Sequence, residues 1–276
     1  MVKNIALFLM LAFSFTMGFS QEKVKGNRNV VLNETPVEAF NKILLSEKFD
    51  VILVKGNTPL VEIEADENLH EIINFEVLDS VLSFSTTSKI ISSKKLEIKI
   101  HSTEHLKEIE LKESAEISAL DKIENEKLIL ITSDNSRAYL NIRSAIFHFV
   151  SNGKSKSRLN IVSNQVELEL NDNSNLEALI ETDSLKAILY MHSKANIEGN
   201  TSQLELNTIA SSDFTGKNLT VTNCILNTED TSDVTVSVTE SITINASGNS
   251  DILLYGDAKI NLETFKGTAT LQKKEF

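Results

Sequence analysis

Seven short segments, each opening on a serine, recur through the second half of this chain at nearly constant spacing. They are SRAYL at Ser136, SKSRL at Ser155, SNLEA at Ser174, SKANI at Ser193, SDFTG at Ser212, SDVTV at Ser232 and SDILL at Ser250. The successive intervals are 19, 19, 19, 19, 20 and 18 residues. A less regular predecessor, SAEIS at Ser114, lies upstream. Self-similarity at such a period marks a solenoid, in which each unit buries its apolar face only against its neighbours. Each unit holds two β-like runs, such as YLNI followed by AIFHFV, separated by turns rich in Ser, Asn, Asp and Thr. No unit contains a helical period, so the repeat predicts an all-β fold: a β-solenoid with one coil of ~19 residues per repeat. Stacked strands lie ~4.8 Å apart, so seven coils make a rod on the order of 30 Å long. Inward positions should form ladders of Ile, Leu and Val, and the turn Asn and Asp suit corners because they tolerate left-handed backbone. An antiparallel β-sandwich is the competing architecture for the same strand content.

Before the repeats the strands are irregular. FDVILV (49–54), LVEIEA (60–65), FEVLDSVLSFS (75–85), KLEIKI (95–100) and LKEIEL (106–111) alternate with period two or form short β-rich runs. KGNTP (55–59) reads as the turn of a hairpin joining the first two. ADENLHEII offers Asp66 as N-cap and Leu69, Ile72 and Ile73 as one apolar face, predicting a short helix near 66–73. The chain thus divides into an N-terminal β-strand region over 21–110 and solenoid repeats over 111–276.

Residues 1–20, MVKNIALFLMLAFSFTMGFS, read as a signal peptide. Lys3 supplies the positive start, Ile5 to Phe15 is an apolar run too short to span a bilayer, and Gly18 and Ser20 are the small residues a signal peptidase needs. Cleavage is expected between Ser20 and Gln21, which leaves 26 basic and 39 acidic residues and no transmembrane segment. That acidic balance repels phosphate backbones, so no nucleic-acid partner is expected. Cys224 is the only cysteine, which excludes an intramolecular disulfide, and with no basic neighbour in sequence it reads as a packed small hydrophobe.

Few residues invite a chemical reading. Ser250-Asp251 has counterparts in Ser212-Asp213 and Ser232-Asp233 at the same phase of the repeat, so it reads as a corner, not a reactive pair. HSTEH, His101 to His105, has the H-x-x-E-H spacing that holds zinc when two imidazoles share a helical face. Here it falls between two strands and reads as a solvated turn, so no metal ion or cofactor is expected. A basic patch of Arg137, Arg143, Lys154, Lys156 and Arg158 in the first two coils is the candidate ligand-binding site, and equally could be solvated corner charge. Asp79-Ser80-Val81 and Asp183-Ser184-Leu185 fit a D-S/T-hydrophobic O-glycosylation pattern, with Ser80 and Ser184 as acceptors.

The segment from Ala39 through Asp66-Glu67-Asn68-Leu69 to Ser85 resembles the N-terminal signature of exported bacterial auto-transporter adhesins with a head GIN domain. Phe40, Ile43, Asp50, Val51, Ile63, Ala65, Asp66, Glu67, Asn68 and Leu69 carry that likeness. ITINASGNSDILLYGDAKINLETFKGTATL is similar to the closing segment of the same family, so the resemblance spans about residues 26–271. It implies an all-β repeat fold in one continuous domain and an exported location in the periplasm, on the outer cell surface or secreted. It supplies no catalytic residues. The expected function is that of a non-enzymatic adhesin or cell-envelope binding or structural protein contacting a glycan or a surface protein, alone or as a homo-oligomer. The alternative is a β-helix carbohydrate-active enzyme, lyase-like, acting on an acidic glycan.

Overall fold

The computed structural model describes residues 22–276, so the expected leader and its Ser20–Gln21 cleavage point lie outside the described residues. The first strands are β1 (Lys23–Lys25), β2 (Val30–Pro36), β3 (Lys42–Leu45), β4 (Asp50–Lys55), β5 (Leu60–Asp66), β6 (Ile73–Leu78), β7 (Val81–Thr86), β8 (Lys89–Ser92) and β9 (Leu96–Ser102). Then come β10 (Glu108–Leu111), β11 (Glu116–Ala119) and β12 (Ile123–Thr132). Long strands follow: β13 (Arg137–Ser151), β14 (Lys156–Leu170), β15 (Asn175–Met191), β16 (Lys194–Ala210), β17 (Asp213–Thr228) and β18 (Asp233–Ala246). The chain closes with β19 (Asp251–Tyr255), β20 (Lys259–Phe265) and β21 (Thr270–Lys274).

The repeat builds a β-solenoid of about nine turns. Its coils pair in parallel and in register, Arg137 on Lys156 on Asn175 on Lys194, which separates it from an antiparallel sandwich. Each long strand bends once. In β13 the inward residues are Ala138, Leu140, Ile142 and Ser144, then Phe147 and Phe149, with Ala145 and Ile146 both turned away from the core between them. Those two adjacent residues shift the inside-outside phase, and the chain turns a corner. A small inward hydroxyl holds the bend: Ser163 Oγ donates to the Gln165 carbonyl at 3.0 Å, and Thr182 and Thr201 do the same to Ser184 and Gln203.

The second corner is the turn that carries the repeating serine. Two residues before each anchor the backbone is left-handed: Asp134, Gly153, Asp172, Met191, Ala210, Asp230 and Gly248 all have φ between 59° and 76°. Asp and Gly tolerate this region because the first bonds its local backbone and the second has no Cβ. The carboxylates also tie coil to coil, since Asp134 accepts from the Glu113 N–H at 2.8 Å and Asp172 from the Gly153 N–H at 2.9 Å. The anchor serines themselves point inward, and all seven are at most 1% exposed.

The N-terminal region is part of the same stack. β3 and β4 pair in parallel with β10 and β11, so the buried core runs unbroken across residues 110 and 111. The hairpin expected around residues 55–59 does not form. β9 lies between its two strands, parallel to β4 and antiparallel to β5, because residues 103–107 carry the chain back past the β3–β4 coil to start β10 on its far side. β2 adds antiparallel to β5 and β6 antiparallel to β7, which gives the solenoid a cap of reversed strands.

The helix expected near 66–73 is a single 3-10 turn, Glu67–Leu69. Ile73 already begins β6, and Asp66 makes no side-chain cap bond. Instead its buried carboxylate accepts from the backbone N–H groups of Lys94 (3.0 Å), Arg28 (3.3 Å) and Lys95 (3.4 Å). Asn68 Oδ1 accepts from the Asn27 N–H at 2.8 Å, and its Nδ2 donates to the Lys25 carbonyl at 2.9 Å. Asp66 and Asn68 therefore fasten the chain's described N-terminus to the cap.

Candidate functional site

Strand alternation sends every second residue of the long strands outward, and in-register stacking lines these up in columns across coils. On the outer face built by the first halves of β13 and β14, Arg137 lies beside Lys156, Tyr139 beside Arg158, Asn141 beside Asn160 and Arg143 beside Val162. The structure thus brings Arg137, Arg143, Lys156 and Arg158 onto one flat surface, while Lys154 sits at the adjoining turn, its N–H donating to the Asp134 carbonyl.

The cations are not equivalent. Arg137 pairs with Glu116 at 3.3 Å, and Arg158 holds Glu177 at 2.9 Å through both Nε and Nη2. Among the described residues Arg143, Lys154 and Lys156 form no such pair. Asn160 Nδ2 donates to Asn141 Oδ1 at 2.7 Å, and Tyr139 is 37% exposed at the centre of the group. The patch therefore combines cationic donors, amides and an aromatic ring on a rigid support, a set that can meet an anionic, hydroxyl-rich ligand. Charge alone does not single out Tyr139 and the two asparagines in the sequence. Their column positions, one repeat apart, are the signal that finds them.

A groove of about 570 Å³ opens where the cap meets the first coils, lined by Lys55, Glu104, His105, Asp121, Lys122 and Glu124 among others. Lys55 Nζ bonds Glu124 at 2.8 Å across it. The HSTEH segment runs along this rim as the end of β9 and a turn, not as a helix. His101 lies on β9, where its Nε2 is 2.7 Å from Glu62 Oε2, so it is engaged away from His105. That contact holds the Glu62 carboxyl below the usual carboxylate range. Among the described residues no group of three or more His, Cys, Asp or Glu could hold a metal ion.

Cys224 is buried, and burial pushes its thiol up to about 12, which leaves no thiolate for chemistry. Ser250 is fully buried and Asp251 exposed on the opposite side of the strand, so the two side chains do not converge. Ser80 occupies an exposed turn with Asp79, both left-handed at φ 64° and 50°, and Ser184 is exposed at a strand bend. No helix of the described residues is long and apolar enough to cross a membrane.

Comparison with known proteins places these features. The family model described as "Putative auto-transporter adhesin, head GIN domain" matches residues 39–160 and again 150–258. No curated protein matches the chain. Among solved structures, a "putative adhesin" from Parabacteroides merdae is 17% identical with a TM-score of 0.66, over 92% of this chain and 99% of that one. A "putative adhesin" from Parabacteroides distasonis is 17% identical with a TM-score of 0.68, over 92% and 100%. A "Putative lipid binding protein" from the same species is 16% identical with a TM-score of 0.62, again over 92% and 100%. At such identities the likeness shows the fold.

Proposed function

Because the chain belongs to the family described as "Putative auto-transporter adhesin, head GIN domain", we propose that it is an exported, non-enzymatic binding protein that contacts an acidic glycan through the outer face around Tyr139. The observation that carries this reading is the placement of Arg137, Lys156, Arg158 and Arg143 beside Tyr139 and the Asn141–Asn160 pair on one flat sheet. Fixed guanidinium groups recognise carboxylate or sulfate, the exposed ring offers a face for a sugar to stack on, and the amides serve hydroxyls. A solenoid holds such groups at constant spacing, so a repeating polymer meets a repeating surface without loops having to order. Residues 1–20 fit the export that this role requires.

Acidic and neutral glycans presented side by side test the reading. Binding should favour acidic chains, weaken as salt is raised toward about 0.5 M, and fall about tenfold for Tyr139→Ala and for Arg158→Ala. Equal binding of neutral glycans, or no loss in either variant, overturns it. Release of a shortened or unsaturated product from any acidic glycan would move the protein to the lyase-like enzyme class instead.

A further inference from the structure

The two ends of the solenoid are finished differently. At the N-terminal end the main sheet ends in the free edges of β2 and β6, the 3-10 turn and His70, whose Nε2 lies 3.2 Å from the Val31 carbonyl, sit against β2, and the separate two-stranded β1–β8 sheet, which carries Lys23, Lys25 and Lys89, lies beside the 3-10 turn. At the C-terminal end the last coil is β20 and β21, stacked on β18 and β19, and among the described residues no further strand pairs with either, while the Phe276 ring folds back on Tyr255 at 5.4 Å between centroids. Leu271 of β21 still packs against the core, but the inward residues of β20 are uncovered. Ile260 stacks on Ile242 and Leu262 on Ile244, positions at which the preceding coil is fully buried, yet Ile260 is 38% exposed, Leu262 50% and Phe265 40%.

Charge says what could cover them. The tail segment 259–276 carries Lys259, Lys266, Lys273 and Lys274 against Glu263 and Glu275, in a chain whose formal net charge is −12. The cap segments 30–38 and 66–79 carry Glu34, Glu38, Asp66, Glu67, Glu71, Glu76 and Asp79 with no Lys or Arg. Lysines along an edge strand discourage a second copy of the same edge. They favour an acidic one, which the other end of this molecule supplies.

Strand direction agrees. β2 runs in the same sense as β21, being twice reversed from β9, whereas β6 runs opposite to β20. Set end to end on a common axis, a tail meets a head with β21 beside β2 in parallel, a pairing mode this molecule already uses, while β6 faces β20 across the width of one strand, because the stack on the β3 side is one strand shorter than the stack on the β4 side.

We propose that the open C-terminal coil of one molecule docks on the acidic N-terminal cap of a second copy, so that solenoids add head to tail. Such a contact is heterologous and does not close on itself, so it produces an open series of oligomers and not a dimer.

Sedimentation of the purified protein over a range of concentrations tests this. The expected result is growth beyond a dimer with rising concentration, dispersed by about 0.5 M salt. Lys259→Glu with Lys274→Glu reverses the tail, and Glu34→Lys with Glu76→Lys reverses the head, all at exposed positions that leave the core intact. Each double variant alone should associate about tenfold more weakly, and an equimolar mixture of the two should recover association, because each then offers the other a complementary end. A monomer at every concentration up to about 1 mM, a closed dimer, or association indifferent to both reversals overturns the proposal.

Discussion

The array and the cap solve the same problem by opposite means. In the array every coil is supported by a near copy of itself. One substitution rule, small or apolar inward and polar outward, is applied repeatedly, and many side-chain contacts join residues 18 to 22 apart. In the cap the supporting groups are unique. Asp66 reaches Arg28, Lys94 and Lys95, at separations of 38, 28 and 29 residues. The array is thus tolerant in detail and sensitive at its middle, whereas the cap depends on single side chains with no substitute next door.

The largest test of this contrast compares an inner coil with the open one. Phe149→Ala removes a fully buried ring packed beside Phe147 and should cost about 3–5 kcal/mol in denaturant unfolding. Leu271→Ala, on the open last coil, should cost less than about 1 kcal/mol. Equal costs would show that the last coil is covered in solution.

Next come the backbone positions. Gly199 holds φ +115° inside β16, and a Cβ there would collide with the Ile180 carbonyl oxygen of the coil below. Gly199→Ala should destabilise by about 2 kcal/mol or more. Met191→Gly and Ala210→Gly, at left-handed turn positions, should each stabilise by up to about 1 kcal/mol. Opposite signs at Gly199 and Ala210, both on β16, would establish that the backbone geometry, and not the residue type, is what the coil requires.

Inside the serine ladder the effect is smaller and differs between rungs. Ser136 Oγ donates to the Ser133 carbonyl at 2.7 Å, so Ser136→Ala should cost about 1 kcal/mol. Ser193 Oγ is buried with no partner among the described residues, and Ser193→Ala should be neutral or slightly stabilising. A matching loss at both sites would mean that a water serves Ser193.

The smallest effect is in pH. In the cap, the Lys94 N–H above all holds Asp66 below the usual carboxylate range, and His101 does the same for Glu62. Carboxyls with a depressed folded pKa contribute stability that is full above their unfolded value and is lost as pH falls through the folded one. In the array, burial foremost, then Asp251 and Asp213, raises Asp233. Its contribution is present below the ordinary aspartate value and is lost as pH rises through the raised one. Acidification from about pH 7 to about pH 3 should therefore lower amide protection, measured against the intrinsic exchange rate at each pH, in β2 and β5 before it does so in β17 and β18. Simultaneous loosening of both would remove the distinction.

Much of the array was legible because it rests on short-range chemistry said many times. The seven serines used to set the period are the same seven that lie buried at the turn, and Asp134, Asp172 and Asp230 hold the left-handed geometry that turn aspartates were expected to accept. Met191 and Ala210 in that geometry were not foreseeable, since neither residue favours it; stacking on the coils to either side imposes it. The basic patch was legible by residue type. What was not legible was that Arg137 and Arg158 are shared with Glu116 and Glu177, which depends on which outward columns become neighbours.

The cap shows the limit. KGNTP has the composition of a hairpin turn, and nothing local to it says that β9, some forty residues on, will slide between the two strands it joins. Asp66 has the composition of a helix cap, and nothing local says that three distant N–H groups will take its carboxylate. By itself the sequence determined the coil period, the all-β class, the inward and outward sets and the turn chemistry, because each follows from neighbours in the chain or from a repeat that copies them. Only the tertiary structure decided the strand order of the cap, the partners of its buried polar groups, and that one end of the rod is plugged while the other stays open. Those outcomes depend on which of several similar edges pair across long separations, a choice between nearly equal hydrogen-bonded ladders that packing of the whole molecule settles.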